Sequence, residues 1–247
     1  AVQEAARRLR YNWFAGLVLK PEDANKGRKA VLLTAHHLDD NIETVLMNFF
    51  KGTGITGLRG MLPSREHIVR PLLFAKREEL EWYAKEYGIA WVEDSSNREE
   101  KYSRNFFRLN IIPHISKVYP QAMDNLGDNI RRFRDAEMLY QQAMDRHRKK
   151  LFLQKGPDVY IPVELLRLSV PVRTITWELT KPFGFSPAQT SDILQLLRSE
   201  TGKYVQSASH RILRNRNWLI VSPLSDQPVS IIVIEDDHGT YRYPGGV

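Results

Sequence analysis

Apolar residues recur at spacings of three and four through Ala6, Leu9, Trp13 and Leu17, predicting a helix over residues 3–19. A polar break follows from Pro21 to Gly27, then a short apolar run from Lys29 to Ala35. Ile42, Val45, Leu46, Phe49 and Phe50 resume a helical period at once. Together these read as a strand–turn–helix unit, the building block of a parallel α/β sheet. Gly52-Thr53-Gly54 closes the helix, and Gly57 and Gly60 loosen the loop behind it. A short strand is expected at Ile68-Val69, a helix from Lys76 to Tyr87 stopped by Gly88, and an extended piece over Ile89–Val92. The polar run Glu93–Glu100 reads as a loop.

Beyond Pro113 the pattern changes. Ala122, Leu126, Ile130, Phe133, Tyr140, Met144 and Leu151 fall on one side of a long amphipathic helix over 121–153. Shorter helices are expected at 162–169, 171–180 and 187–198, and strands near 203–206, 210–214 and 218–221. The fold class is therefore α/β: a parallel-sheet, Rossmann-like domain over 1–117, then a mainly helical α+β domain over 118–222. Residues 223–247 read as the start of a further domain, cut off at Val247.

Composition narrows the function. The absence of cysteine excludes disulfide frameworks, thiolate metal sites and cysteine nucleophiles within the 247 residues. No apolar run reaches membrane-spanning length and the first residues lack a secretory signal, so a cytoplasmic protein is expected. A net charge of +7 points to a polyanionic partner.

The densest polar cluster is His36-His37-Leu38-Asp39-Asp40-Asn41-Ile42-Glu43-Thr44, placed where a buried strand ends and a helix begins. Ligands of open parallel sheets bind at that edge. Asp40 and Glu43 share a helical face, and two such carboxylates can hold Mg²⁺. The competing reading is local: Asp39 or Asp40 caps the helix and Glu43 completes a capping box. Capping alone does not explain paired histidines, paired aspartates and a Glu-Thr at one junction. Arg104 and Arg108, four apart around Asn105, offer two guanidinium groups to phosphates or a carboxylate. Arg131, Arg132, Arg134, Arg146, Arg148, Lys149 and Lys150 make the long helix basic, which suits RNA phosphates or a solvated face.

The stretch Leu33–Thr44 resembles the second signature of the N-type ATP pyrophosphatases, the PP-loop superfamily. Within that superfamily the chain is most similar to the tRNA(Ile)-lysidine synthetases. The likeness continues through Lys51–Leu58, Arg70-Pro71-Leu72, Trp91–Asn97, Tyr102–Arg108 and Ile112-Pro113, and more weakly through Ser186–Gln189, Gly202-Lys203 and His210-Arg211. The resemblance implies a two-step ligation using ATP and Mg²⁺: adenylation at C2 of the wobble cytidine of a CAU-anticodon isoleucine tRNA, then displacement of AMP by free lysine.

By the same resemblance, the catalytic set is His36, His37, Asp40, Glu43, Arg104, Asn105 and Arg108. Asp39, Asp40, Gly52 and Gly54 would meet the nucleotide, Asp40 and Glu43 the Mg²⁺, and Asp94, Asn97, Arg131 and Arg132 the substrate. Asn105 would read a base edge or hold the lysine. A homodimer is a further expectation. The family's Ser-Gly-Gly-x-Asp-Ser phosphate loop occurs nowhere in these residues, so the chain is expected to begin downstream of it. Two rival readings are a tRNA 2-thiolating enzyme of the same superfamily, disfavoured by the lack of cysteine, and a non-catalytic RNA-binding module.

Overall fold

The computed structural model describes residues 2–18, 30–92 and 103–224. The chain divides into two compact units, Ala1–Tyr140 and Gln141–Val247.

The first unit opens with helix α1 (Val2–Val18), close to the helix that the apolar spacing predicts. Strand β1 (Leu32–Leu33) pairs in parallel with β3 (Ile68–Val69), and β3 pairs antiparallel with β2 (Ser64–Arg65), in the order β1-β3-β2. The polypeptide between β1 and β3 carries α2 (Leu38–Phe50) and the short α3 (Ile55–Leu58), giving the expected strand–turn–helix crossover. Helix α4 (Arg77–Glu86) follows, ended near Gly88, which takes φ +61°. Ile89–Val92 joins no strand among the described residues.

A helical run then extends over Ser103–Val118 in three pieces: α5 (Ser103–Phe106), a π-helical stretch (Phe107–Ile111) and α6 (Ile112–Val118). Pro113 supplies the reason for the middle piece. It has no N–H to give the carbonyl four residues back, and its ring would crowd that carbonyl, so the coil widens to a π-turn just ahead of it.

Helix α7 (Ala122–Leu151) confirms the long amphipathic pattern, and the division between units falls inside it. Ile130 of α7 packs with Ile42 and Val45 of α2 in a buried cluster, ringed by Leu38, Leu46, Leu58, Met123 and Leu126. A Cβ at Gly127 would sit about 3.5 Å from Leu38, an ordinary van der Waals contact, which places this turn of α7 beside the start of α2.

The second unit is a five-stranded antiparallel sheet of order β4-β5-β8-β7-β6: β4 (Leu153–Lys155), β5 (Asp158–Pro162), β6 (Tyr204–Gln206), β7 (His210–Asn215) and β8 (Trp218–Pro223). The last three match the expected strands. The β4–β5 hairpin takes residues 154–161, which the sequence pattern left unassigned, together with Leu153 and Pro162 from the ends of the helices expected on either side, and its turn uses Gly156 at φ +58°. Helices α8 (Val163–Arg167), α9 (Val172–Thr180) and α10 (Gln189–Leu196) bury Val163, Leu166, Ile175, Leu179, Ile193 and Leu196 in the core with Val159, Ile161, Ile212, Leu219 and Val221 of the strands. Proline at 171 and at 187 marks the approach to α9 and α10, as the sequence pattern anticipates.

Candidate active site

The site forms around the N-terminal half of α2. The chain leaves β1, turns through Ala35–His37, and enters the helix at Leu38, whose N–H donates to Ala75 O at 2.8 Å. Asp40 accepts the backbone N–H of His37 on Oδ2 at 3.1 Å, so Asp40 itself, three residues into the helix, serves the capping role. Glu43 takes no part in a capping box; its carboxylate turns to Arg108.

Arg108 donates from Nε to Oε1 of Glu43 at 2.6 Å, and from Nη2 to Oε2 of Glu43 and to Oδ1 of Asp40, both at 3.2 Å. Arg104 reaches the same helix, donating from Nη2 to Thr44 Oγ1 at 2.9 Å, with its Nε 3.5 Å from Glu43 Oε2. The Thr44 hydroxyl donates to Asp40 O at 2.7 Å, so it passes a hydrogen bond from arginine to helix backbone. Asn105, between the arginines in sequence, is buried. Two carboxylates, two guanidinium groups and a hydroxyl from segments about sixty residues apart thus meet on one face of α2.

Burial is the chief influence on Glu43 and pushes its carboxyl above the usual range, against the opposing pull of Arg108. Burial works against the charge of Arg108 as well, but Glu43 and Asp40 outweigh it and hold the guanidinium firmly protonated. Asp39 behaves differently. Its burial is overcome by hydrogen bonds from His37 and from the Arg77 N–H, which donates to Oδ2 at 2.8 Å, and its carboxyl lies below the ordinary value. Asp39 is therefore a tie between the N-termini of α2 and α4.

The donor set bears on the Mg²⁺ expected at Asp40 and Glu43. Each of their four carboxylate oxygens has an N–H donor within 3.2 Å, three from Arg108 and one from His37. As arranged, the pair encloses a guanidinium and does not fit a metal ion. Among the described residues, no group of three or more acidic or histidine side chains is placed to hold one.

His37 lies beside both aspartates, its Nδ1 3.4 Å from Asp39 and its Nε2 3.4 Å from Asp40. His36 pairs with the Thr34 hydroxyl through Nδ1 at 3.0 Å. Gly52 and Gly54 hold φ +67° and +70° at the exposed start of the loop behind α2. Arg131 and Arg132 are exposed on α7 and pair locally, with Asp128 and Asn129 respectively, outside the carboxylate–arginine cluster. Asp94 and Asn97 lie outside the described residues.

Sequence reasoning missed the frame behind the site. Asn41, buried between Asp40 and Glu43 in sequence, accepts the Met61 N–H on Oδ1 at 2.6 Å. Arg134 donates to Arg59 O at 3.1 Å and to Met61 O at 2.6 Å, while Arg59 donates to the buried Glu137 at 2.6 Å. These contacts fasten the end of the Gly52–Met61 loop to α2 and α7. The one available signal was Asn41 itself, a polar residue on the apolar side of an amphipathic helix.

The parallel strand–helix unit with charged chemistry at the strand's carboxyl edge is an α/β arrangement, and residues 1–115 match the family model of the PP-loop domain. Residues 154–224 match that of the TilS substrate binding domain. The chain is 34% identical over 244 residues to the tRNA(Ile)-lysidine synthase of Parabacteroides distasonis, covering 99% of the chain and 54% of that relative. It is 33% identical over 232 residues to the enzyme of that name from Bacteroides thetaiotaomicron, covering 94% of the chain and 52% of the relative. With the one from Pseudomonas aeruginosa it shares 40% identity over 143 residues, 56% of the chain and 30% of the relative. The chain belongs to the tRNA(Ile)-lysidine synthase family of PP-loop proteins. It spans about half the length of the first two relatives.

Proposed function

We propose that this protein ligates free lysine to C2 of the wobble cytidine in a CAU-anticodon isoleucine tRNA, at the expense of ATP. In the first step the cytidine O2 attacks the α-phosphorus of ATP and pyrophosphate leaves. In the second, the lysine amine attacks C2, loses a proton, and AMP departs with the oxygen. Residues 1–117 would carry the chemistry and 118–222 would hold the tRNA.

The observation that carries this reading is the joining of Asp40 and Glu43 to Arg104 and Arg108 at the head of α2. Such a cluster offers both signs of charge within one hydrogen-bonded group. The carboxylates hold the two guanidinium groups in place, and the remaining N–H groups of the arginines, above all of the partly exposed Arg104, suit the phosphates of the nucleotide or the carboxylate of the amino acid. His36 or His37 would contact the activated base or phosphate, since imidazole serves in either protonation state. Asn105 would read a base edge or hold the lysine, and Gly52 and Gly54 would let backbone approach the nucleotide. Arg131 and Arg132 would meet RNA phosphates.

The test mixes the protein with Mg·ATP, radiolabelled lysine and an isoleucine tRNA transcript bearing CAU, and counts label retained on the RNA after alkaline deacylation. Label that depends on ATP and is lost in Asp40→Ala, with tRNA binding retained, is expected. No label from a folded, full-length protein would refute the reading.

A further inference from the structure

The face of α2 that carries Glu43 continues to the C-terminal end of the helix. Phe50 lies seven residues beyond Glu43, two turns along the same face and about 10 Å away at 1.5 Å per residue. Its ring is 71% exposed. It packs against Phe107 at 5.9 Å between centroids and 52°, and against Phe49 at 5.7 Å and 89°, with Phe49 and Phe106 also exposed. Single exposed apolar residues are ordinary, but a run of phenyl rings drawn from two elements is not.

The electrostatics of the two segments that meet there select the occupant. No acidic residue occurs from Thr44 to Ser64 or from Ser103 to Met123; of the cations within them, Arg104 and Arg108 are held by Glu43 and Asp40 and Arg59 by Glu137, while Lys51 and Lys117 are exposed. Lys51 directly follows Phe50 and is exposed; Arg104 and Arg108 bracket Phe107 and its neighbours. Exposed rings flanked by cations are how proteins bind unpaired nucleic acid, with bases stacked on the rings and phosphates held by the charges. A hydrophobic protein partner would not call for that charge pattern.

We infer that Phe50, seated on Phe107, is a stacking platform for an unpaired base of the RNA substrate, one close in the strand to the base that enters the Asp40–Glu43–Arg108 cluster. The gap of about 10 Å equals roughly three stacked bases at 3.4 Å each, which suits a neighbour within the anticodon loop. This inference rests on the reading of the protein as an RNA-modifying enzyme and adds a residue that senses the loop around the reacting base.

The test compares Phe50→Leu and Phe50→Trp in the full-length protein. Both keep an apolar side chain at an exposed position, and only the second keeps an aromatic face. The measurements are the Kd for an anticodon stem-loop RNA bearing CAU, and the KM values for tRNA and for ATP. In Phe50→Leu, RNA affinity should fall about tenfold and KM for tRNA should rise to match, as expected for losing one stacked base, with KM for ATP unchanged. Phe50→Trp should restore both. Wild-type RNA affinity in Phe50→Leu overturns the proposal. A change in oligomeric mass with RNA affinity intact also overturns it, and assigns the rings to a second copy of the chain. Stem-loop binding that depends on an aromatic at position 50, in a protein that incorporates no lysine, would sink the ligase reading and leave the stacking platform standing.

Discussion

Arg108 closes a two-pronged grip on Glu43, Nε to Oε1 at 2.6 Å and Nη2 to Oε2 at 3.2 Å, over a carboxylate only 1% exposed. The partners are 65 residues apart in sequence, so this contact fastens the helix after β1 to the helical run that ends at Val118. A lysine at position 108 keeps the charge but supplies a point donor in place of a planar fork. Arg108→Lys is expected to cost about 1.5–3 kcal/mol of stability, the range for a hydrogen bond to a charged group. Lysine incorporation should fall about 100-fold through misplacement of the cluster. Urea unfolding and the tRNA-labelling assay measure the two effects separately.

Gly60 holds φ +68°, and a Cβ there would lie 2.2 Å from Asn41 Oδ1, the atom that accepts the Met61 N–H. Gly60→Ala combines a left-handed backbone penalty with displacement of a buried hydrogen bond, and should destabilise by more than about 2 kcal/mol. The midpoint of urea unfolding checks it. Gly52→Ala, with open space around its Cβ, should lose only the conformational part.

Asp39 gives a pH signature. Its carboxyl is held below the ordinary 3.8, so its contribution is present above that value and is lost as the pH falls through the depressed one. Asp39→Asn is expected to cost about 1 kcal/mol near neutrality, through the weakened tie to Arg77 N–H. The gap between wild type and variant should close in acid. Unfolding free energies measured across the acid range decide it; a gap that stays constant from neutrality to the acid end of the range would contradict the assignment.

Pro113 separates stability from activity. Replacing it with alanine removes the reason for the π-turn over Phe107–Ile111. If the coil tightens to α geometry, one residue of register rotates the side chains on one side of the turn by about 100° relative to those on the other. Pro113→Ala should therefore leave thermal stability equal or higher while lysine incorporation drops about tenfold or more, by the same loss of positioning. Wild-type incorporation would show that the π-turn does not set Arg108.

Much of this was legible along the chain. The periodicity through Ile42, Val45 and Phe49 marked α2, the apolar run before it marked β1, and the spacing from Ala122 to Leu151 marked α7. These patterns are local, because a helix or strand must bury the side that repeats with its own period. The grouping of Asp40 with Glu43 was equally local, three residues apart on one helix. The β4–β5 hairpin was less legible, because Leu153–Lys155 is a short edge strand with exposed side chains and carries little alternation of its own.

The sequence by itself determined which elements form and which residues carry charge at the head of α2. Only the tertiary structure decided what that charge does there. Asp40 and Glu43 read as metal ligands until Arg108 is seen to fill them, and Asn41 reads as a stray polar residue until Met61 N–H is found on it. Pairings across 65 and 20 residues leave no periodic trace, since hydrogen-bond geometry, not spacing, selects the partner. The exposed ring of Phe50 and the half-buried ring of Phe107 follow the same rule: each belongs to the pattern of its own helix, and only folding brings them together.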